Sequence, residues 1–350
     1  MVGFAQLSTT FGEFDPMSIR RNRHRFAATA VLLVAGALPA TAAAAPSGSI
    51  VYAKGGNVYR ANGDGTHQRR LTRDGRRSHP YEHPTQADAG SVVAIRDDRT
   101  LYRLSRRGKR LGRPHKVATG LRNPGSLHDL AFSPAVSPNG REVALSNTLL
   151  QGIYDPSTGV RGLNLLAITI EYRNARSGRR LGEIHVPGDY LESPSWIDNR
   201  HVLFFAPLVS YATQVDVDTR GGGQQSWFAD ELGGDPAFDR PPLNEGELSR
   251  QGDKLALIRG TNLADDWSGS TIQIYRTSGF STMPAPACAI PQAGAGPFAK
   301  PTWSPDGSTL AWSDRRGVWS SPVDTAVSGC GLSPRLIVAH GSTPDWGPAR

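Results

Sequence analysis

No Gly-x-Ser-x-Gly elbow and no Gly-x-x-x-x-Gly-Lys-Ser/Thr loop occurs in the 350 residues. The first absence removes the strained nucleophile turn of α/β-hydrolases, and the second removes the phosphate cradle of P-loop nucleotide hydrolases. Long apolar runs are missing too. The strongest, Phe26 to Leu38, is short and rich in alanine, whereas a transmembrane helix needs about 20 predominantly apolar residues. Cysteine is almost absent, with only Cys288 and Cys330.

The residues around that apolar run give it a different meaning. Arg20, Arg21, Arg23 and Arg25 precede it, and Pro39 with the small-residue tract Ala40 to Ala45 follows it. This is the three-part layout of a cleaved export signal, with cleavage near Ala42 to Ala45. Residues 1 to 16 fit no part of the layout, which makes Met17 a second candidate start, and the paired arginines leave the export route open. The expected division is therefore residues 1–45 as extension and signal, and residues 46–350 as one exported domain, periplasmic or extracellular. In an oxidising compartment a lone pair of cysteines is expected to bridge. Closing a loop of about 40 residues would contribute ~3 to 4 kcal/mol. Two separate buried thiols are the alternative, because connectivity is not visible in sequence.

What the chain has in quantity is turn chemistry. It holds 39 Gly and 26 Pro, which favours short strands over long helices. Pro301-Thr-Trp-Ser-Pro-Asp-Gly-Ser-Thr-Leu-Ala-Trp312 reads as a strand, an Asp-Gly turn and a second strand. Weaker versions recur at Leu130 to Pro134 with Pro138-Asn-Gly140, at Pro194-Ser-Trp196 with Asp198-Asn199, at Pro84 to Ala87 with Ala89-Gly90, and at Glu247 to Ser249 with Gln251-Gly-Asp253. Each begins a unit of about four strands in ~45 to 60 residues, the scale of a propeller blade. The first unit, from Ser49, lacks such an opening strand, and Thr343-Pro-Asp-Trp-Gly347 supplies one with no blade after it. The expected fold is thus an all-β, six-bladed propeller closed by pairing the C-terminal strand with the N-terminal blade.

Trp303-Ser-Pro-Asp-Gly307 with Leu310-Ala311, and Asn57-Val-Tyr-Arg-Ala-Asn-Gly-Asp-Gly65 followed by Gln68-Arg-Arg-Leu-Thr72, resemble the WD-like repeats of TolB-type β-propellers. The resemblance spans roughly residues 47–350 as a repeat pattern. It implies a propeller that works by binding at the cell envelope. TolB proteins carry a separate N-terminal α/β domain, which has no counterpart between the signal and the first unit.

In such blades the connections from strand two to three, and from blade to blade, share one face. Here they include the long segments Gly75 to His83, Asn147 to Gly162, Ala206 to Tyr211, Asp230 to Glu245 and Gly260 to Ser270. Loops on a rigid scaffold carry binding residues disproportionately, so Tyr81, Tyr154, Asp155, Asp265, Asp266 and Trp267 are the candidate binding set. Merely solvated connections are the competing reading. Trp196, Trp303, Trp312 and Trp346 sit at repeating strand positions and are expected to pack between blades.

His79-Pro-Tyr-Glu-His83 places two imidazoles and a carboxylate close together, but Pro80 opposes helical i, i+4 geometry. Asp216-Val-Asp218 starts like a calcium loop and lacks the later ligands. No metal and no cofactor is implied. Residues 51–125 hold roughly 17 Lys and Arg against about 6 Asp and Glu, a basic sector suited to anionic envelope polymers or phospholipid head groups. Discouraging edge pairing is its other reading. The expected function is an exported, non-enzymatic, monomeric scaffold that binds a protein or envelope polymer through its loop face, with no nucleic acid partner. A carbohydrate-active propeller enzyme with an axial pocket is the alternative.

Overall fold

Strands covered on both faces read as unbroken apolar runs, and Ile50-Val51-Tyr52-Ala53 is one. Successive side chains of a strand point to opposite sides, so this run feeds two cores. Ile50 and Tyr52 pack with Ala311, Val318 and Val338, while Val51 packs with Tyr81, Val92 and Leu104. The same double use recurs along the whole chain.

The computed structural model describes residues 46–119, 127–154, 161–185, 191–206, 214–220, 222–229, 243–260, 270–291 and 296–349. Six four-stranded antiparallel sheets form a ring of blades. Blade one orders β24 (Ser342–Gly347), β1 (Ser49–Lys54), β2 (Asn57–Asn62) and β3 (Arg69–Arg70) from the axis outward. Blade two holds β4 (Tyr81–Gln86), β5 (Val92–Arg96), β6 (Thr100–Leu104) and β7 (His115–Lys116). Blade three holds β8 (Leu127–Val136), β9 (Glu142–Tyr154), β10 (Arg161–Asn174) and β11 (Arg180–Ile184). Blade four holds β12 (Glu192–Trp196), β13 (His201–Phe205), β14 (Gln214–Thr219) and β15 (Gly223–Ala229). Blade five holds β16 (Leu243–Leu248), β17 (Lys254–Arg259), β18 (Thr271–Arg276) and β19 (Ala285–Pro291). Blade six holds β20 (Ala299–Trp303), β21 (Thr309–Asp314), β22 (Gly317–Pro322) and β23 (Arg335–Ala339).

Six apolar clusters hold the described residues together, and each is shared by two neighbouring blades, blades six and one included. The tryptophans lie at these seams as expected. Trp303, Trp312 and Trp346 are buried, and Trp196 is half-buried. The C-terminal strand β24 pairs antiparallel with β1, Trp346 opposite Ile50 and Asp345 opposite Val51. The turn after β20 uses Gly307 at φ 68°, where Asp306 Oδ1 accepts the Ser308 N–H and the Ser304 hydroxyl. Cys288 and Cys330 form a disulfide that ties β19 of blade five to the short 3-10 turn Ser328–Gly331 of blade six.

Parts of two segments expected as loops are strand. Tyr81 to His83 begin β4, and Asn147 to Tyr154 with Arg161 and Gly162 extend β9 and β10. The reason is local: Thr148, Ile153 and Tyr154 in one arm and Ile168, Thr169 and Ile170 in the other are β-prone, and the backbones pair from Tyr154–Arg161 inward with one bulge at Leu166.

Candidate functional site

The innermost strand of every blade carries a register break, and the sequence at five of the six is nearly the same. His83-Pro84-Thr85, Ser133-Pro134-Ala135, Ser193-Pro194-Ser195, Lys300-Pro301-Thr302 and Thr343-Pro344-Asp345 occupy these five, and the sixth falls at Asn244, between Leu243 and Glu245. The residue before each proline has a left-handed φ of 45° to 53°, a strained state for a non-glycine residue. A bulge leaves main-chain groups outside the ladder, and the neighbouring blade satisfies them. Thr85 Oγ1 accepts the Val136 N–H at 3.2 Å, Glu247 Oε1 that of Trp303 at 2.9 Å, Thr302 Oγ1 that of Trp346 at 3.0 Å, and Asp345 Oδ2 that of Gln86 at 2.6 Å. All four run in one sense around the ring, from a blade to its successor, and form a polar collar about the axis.

The collar explains the odd electrostatics of the channel. Burial, followed by the nearby Asp345, pushes the Glu247 carboxyl up to about 8. Asp345 itself is raised by burial to about 6, even though the Gln86 N–H favours its charged form. Nearer the loop face, burial and then the Glu245 charge push Glu192 up to about 7. Glu245 accepts the Lys300 N–H at 2.5 Å and lies 3.8 Å from the Lys300 ammonium. Burial, helped by Lys300, drives the His83 imidazole down to about 3, and its Nδ1 has no hydrogen-bond partner among the described residues.

The two ends of the channel differ. Asp88 of blade two and Arg250 of blade five form an ion pair at 2.7 Å. These blades stand opposite one another in a ring of six, so the pair spans the axis on the tight-turn face. At the other end Glu192, Glu245 and Asn244 line a cavity of ≈ 270 Å³ with Phe132, Ile258 and Phe298.

Beyond the ring rim, blade three departs from its neighbours. β9 and β10 run 13 and 14 residues, against 5 or 6 in β5, β13 and β17. At ~3.3 Å per residue the hairpin extends roughly 20 Å past the other blades on the loop face. It exposes Leu149 and Ile153 on one side, beside Leu127 of β8, and Leu163 on the other, with Leu166 at a bulge in β10.

The expected binding set divides accordingly. Tyr154 is the last residue of β9, at the far end of this hairpin. Asp155, Asp265, Asp266 and Trp267 lie outside the described residues. Tyr81 is a core residue between blades one and two: its hydroxyl donates to Asp74 at 3.2 Å, and Arg96 lies 5.1 Å over its ring. His79 and His83 part company, the first meeting Asp97 at 3.2 Å and the second entering the channel. Among the described residues no group of three potential ligands could hold a metal ion. Sequence reading missed Glu192, Glu245 and Lys300; Pro194 and Pro301 mark the places of Glu192 and Lys300, whereas β16, which carries Glu245, has no proline.

No family model and no curated protein matches the chain. Among solved structures it is similar to a chain of the "Crystal Structure of Mitotic Checkpoint Complex", at 13% identity and TM-score 0.47, covering 76% of this chain and 83% of that one. It is also similar to the Myceliophteria thermophila Cps50 (Swd1) β-propeller domain, at 10% identity and TM-score 0.44, covering 81% and 86%. A protein of unknown function from Bacteroides caccae shares 11% identity at TM-score 0.48, covering 86% and 98%.

Proposed function

We propose that this chain is an exported, non-enzymatic, TolB-like propeller scaffold, closed by its C-terminal strand, that binds a protein through its loop face. The observation that carries this reading is the projecting part of blade three, where the β9–β10 hairpin presents four aliphatic side chains to solvent and the adjoining β8 a fifth, Leu127. Leu127, Leu149 and Ile153 share one face of it, and exposed apolar patches mark interaction sites. Export is supported by the signal layout of residues 20–45 and by the disulfide. No helix among the described residues is long and apolar enough to cross a membrane. The decisive experiment is capture from envelope extract, with the captured protein identified and the binding repeated with it purified. Ile153→Ser with Leu163→Ser, and Tyr154, Asp155 and Trp267 each changed to Ala, should weaken capture at least tenfold while leaving the thermal midpoint in place. Undiminished capture by all of them would refute the choice of face.

One observation favours the enzymatic alternative: Glu192, held partly protonated beside Glu245, has the form of an acid paired with a carboxylate. Glu245, Glu247 and Asp345, however, each accept a main-chain N–H of the next blade, which supports a structural use for them. Glycan cleavage abolished by Glu192→Gln would reverse this preference.

A further inference from the structure

The basic excess of the first two blades is gathered at one seam. Two adjoining cavities of ≈ 240 and ≈ 670 Å³ run along the junction of blades one and two, and Arg69 and Arg107 line both. Arg60 and Arg106 complete the first; Arg70, Arg73 and Lys109 enter the second. A specific backbone device builds this seam. Gly108, at φ 84°, lets the turn after β6 lie against Leu71, where a Cβ would collide with the Leu71 carbonyl. Main-chain acceptors then hold the guanidinium groups in place: Arg60 Nη2 donates to the Ala349 carbonyl at 2.8 Å and Arg70 Nε to the Thr72 carbonyl at 2.8 Å.

Folding gathers these cations against their repulsion. The Arg60 pKa is lowered by burial and then by Arg106 and Arg69. Asp74 is the one carboxylate lining either cavity among the described residues, and Arg96 and Arg110 already engage it at 3.0 and 2.7 Å. Edge protection does not require such crowding, because the outer strands β3 and β7 are two residues long and already blunt.

We propose that this interblade groove binds a linear, phosphate-bearing polyanion. Arginine dominates it, and the planar guanidinium fork suits phosphate oxygens. No Phe, Tyr or Trp among the described residues lines either cavity, which disfavours single-stranded nucleic acid, whose bases stack on aromatic rings. None of the exposed large apolar side chains lies in blade one or two, which disfavours insertion into a lipid surface.

Fluorophore-labelled inorganic polyphosphate tests the assignment by anisotropy. Affinity should fall about 100-fold between roughly 50 and 200 mM salt, the dependence expected for about five displaced counterions. Arg69→Glu and Arg107→Glu should each weaken binding at least tenfold, whereas Arg315→Glu, an equal charge change on blade six, should not. The proposal is overturned by no binding at the lower salt, or by equal losses in all three variants. The base-free polyphosphate should bind more tightly than an oligothymidylate or phosphatidylglycerol vesicles at equal charge concentration; tighter binding of either of those overturns the proposal as well.

Discussion

Asp345 Oδ2 accepts the Gln86 main-chain N–H at 2.6 Å, and Gln86 Nε2 returns a hydrogen bond to the Asp345 carbonyl at 2.8 Å. Gln86 Nε2 also reaches the Ser49 carbonyl at 2.7 Å. Three segments remote in sequence thus meet at one point: the C-terminal strand, the first strand after residue 46 and the inner strand of blade two. Trp346, buried beside them, donates its indole N–H to the Ser47 carbonyl at 2.9 Å. If this knot closes the ring, a chain ending before Ser342 should lose much of its stability. Trp346→Ala, which empties a large buried volume, should cost about 3–5 kcal/mol and lower the midpoint by about 10 °C. Differential scanning calorimetry decides it, and a shift of less than about 2 °C in the truncated chain would refute the closure.

The channel carboxylates set the pH response. Glu247, Glu192 and Asp345 are raised to about 8, 7 and 6, and Glu82 and Asp98 are raised by burial in the same sense. An acid with a raised folded-state pKa binds its proton more readily folded than unfolded. Its stability contribution is therefore full below the unfolded value and is lost as pH rises through the folded one. His83 opposes this, since its depressed pKa makes protonation below 6.5 favour the unfolded chain, but the carboxylates outnumber it. The midpoint should climb from about pH 8 to about pH 5. Below about pH 4 it should fall, as Asp64, Asp74, Asp198, Asp253 and Asp306, all held below the usual value, lose their partners. Glu247→Gln should raise the midpoint at pH 8 and shrink the climb. A flat profile from pH 8 to 5 in the parent protein would contradict the assigned shifts.

The disulfide crosses a blade boundary. It joins Cys288 of blade five to Cys330 of blade six across 42 residues, and Cys330 is buried in the cluster those blades share. Reduction should cost ~3–4 kcal/mol by restoring freedom to the unfolded loop, lowering the midpoint by about 5 to 15 °C. Cys288→Ser with Cys330→Ser should reproduce the effect and be insensitive to reductant. Equal midpoints with and without reductant in the parent protein would show that the bridge does not stabilise the fold.

The strand-turn-strand units were legible because each carries its own punctuation. Pro305-Asp306-Gly307 and Pro138-Asn139-Gly140 declare their turns without reference to distant residues, and the alternating use of Ile50 and Val51 follows from period two. Spatial neighbours across the ring were not legible. Nothing near Glu192 in sequence says that Glu245 will face it, or that Arg250 will reach Asp88 across the axis, since ring geometry alone brings these together. The blade-three hairpin was misjudged for a different reason. Asn147 to Gly162 joins two strand-like runs and reads as one long connection, whereas in the structure Gly152 and Gly162 lie in facing strands, paired with Leu163 and Ile153.

The collar itself can be tested at Thr302, which is fully buried and bridges two blades. Its hydroxyl donates to Glu247 Oε1 at 3.2 Å and accepts the Trp346 N–H at 3.0 Å. Thr302→Val keeps the shape but strands a buried N–H, at a cost of about 1–3 kcal/mol. Thr302→Ser keeps the hydroxyl and gives up one methyl group, about 1 kcal/mol. The valine variant should therefore be the less stable of the two in chemical denaturation. It should also steepen the loss of stability above neutral pH, because Glu247 would lose a donor that favours its charged form. A valine variant as stable as the serine one would mean that the axial hydrogen bonds are incidental to packing, and that the repeated prolines around the channel owe their positions to the bulges alone.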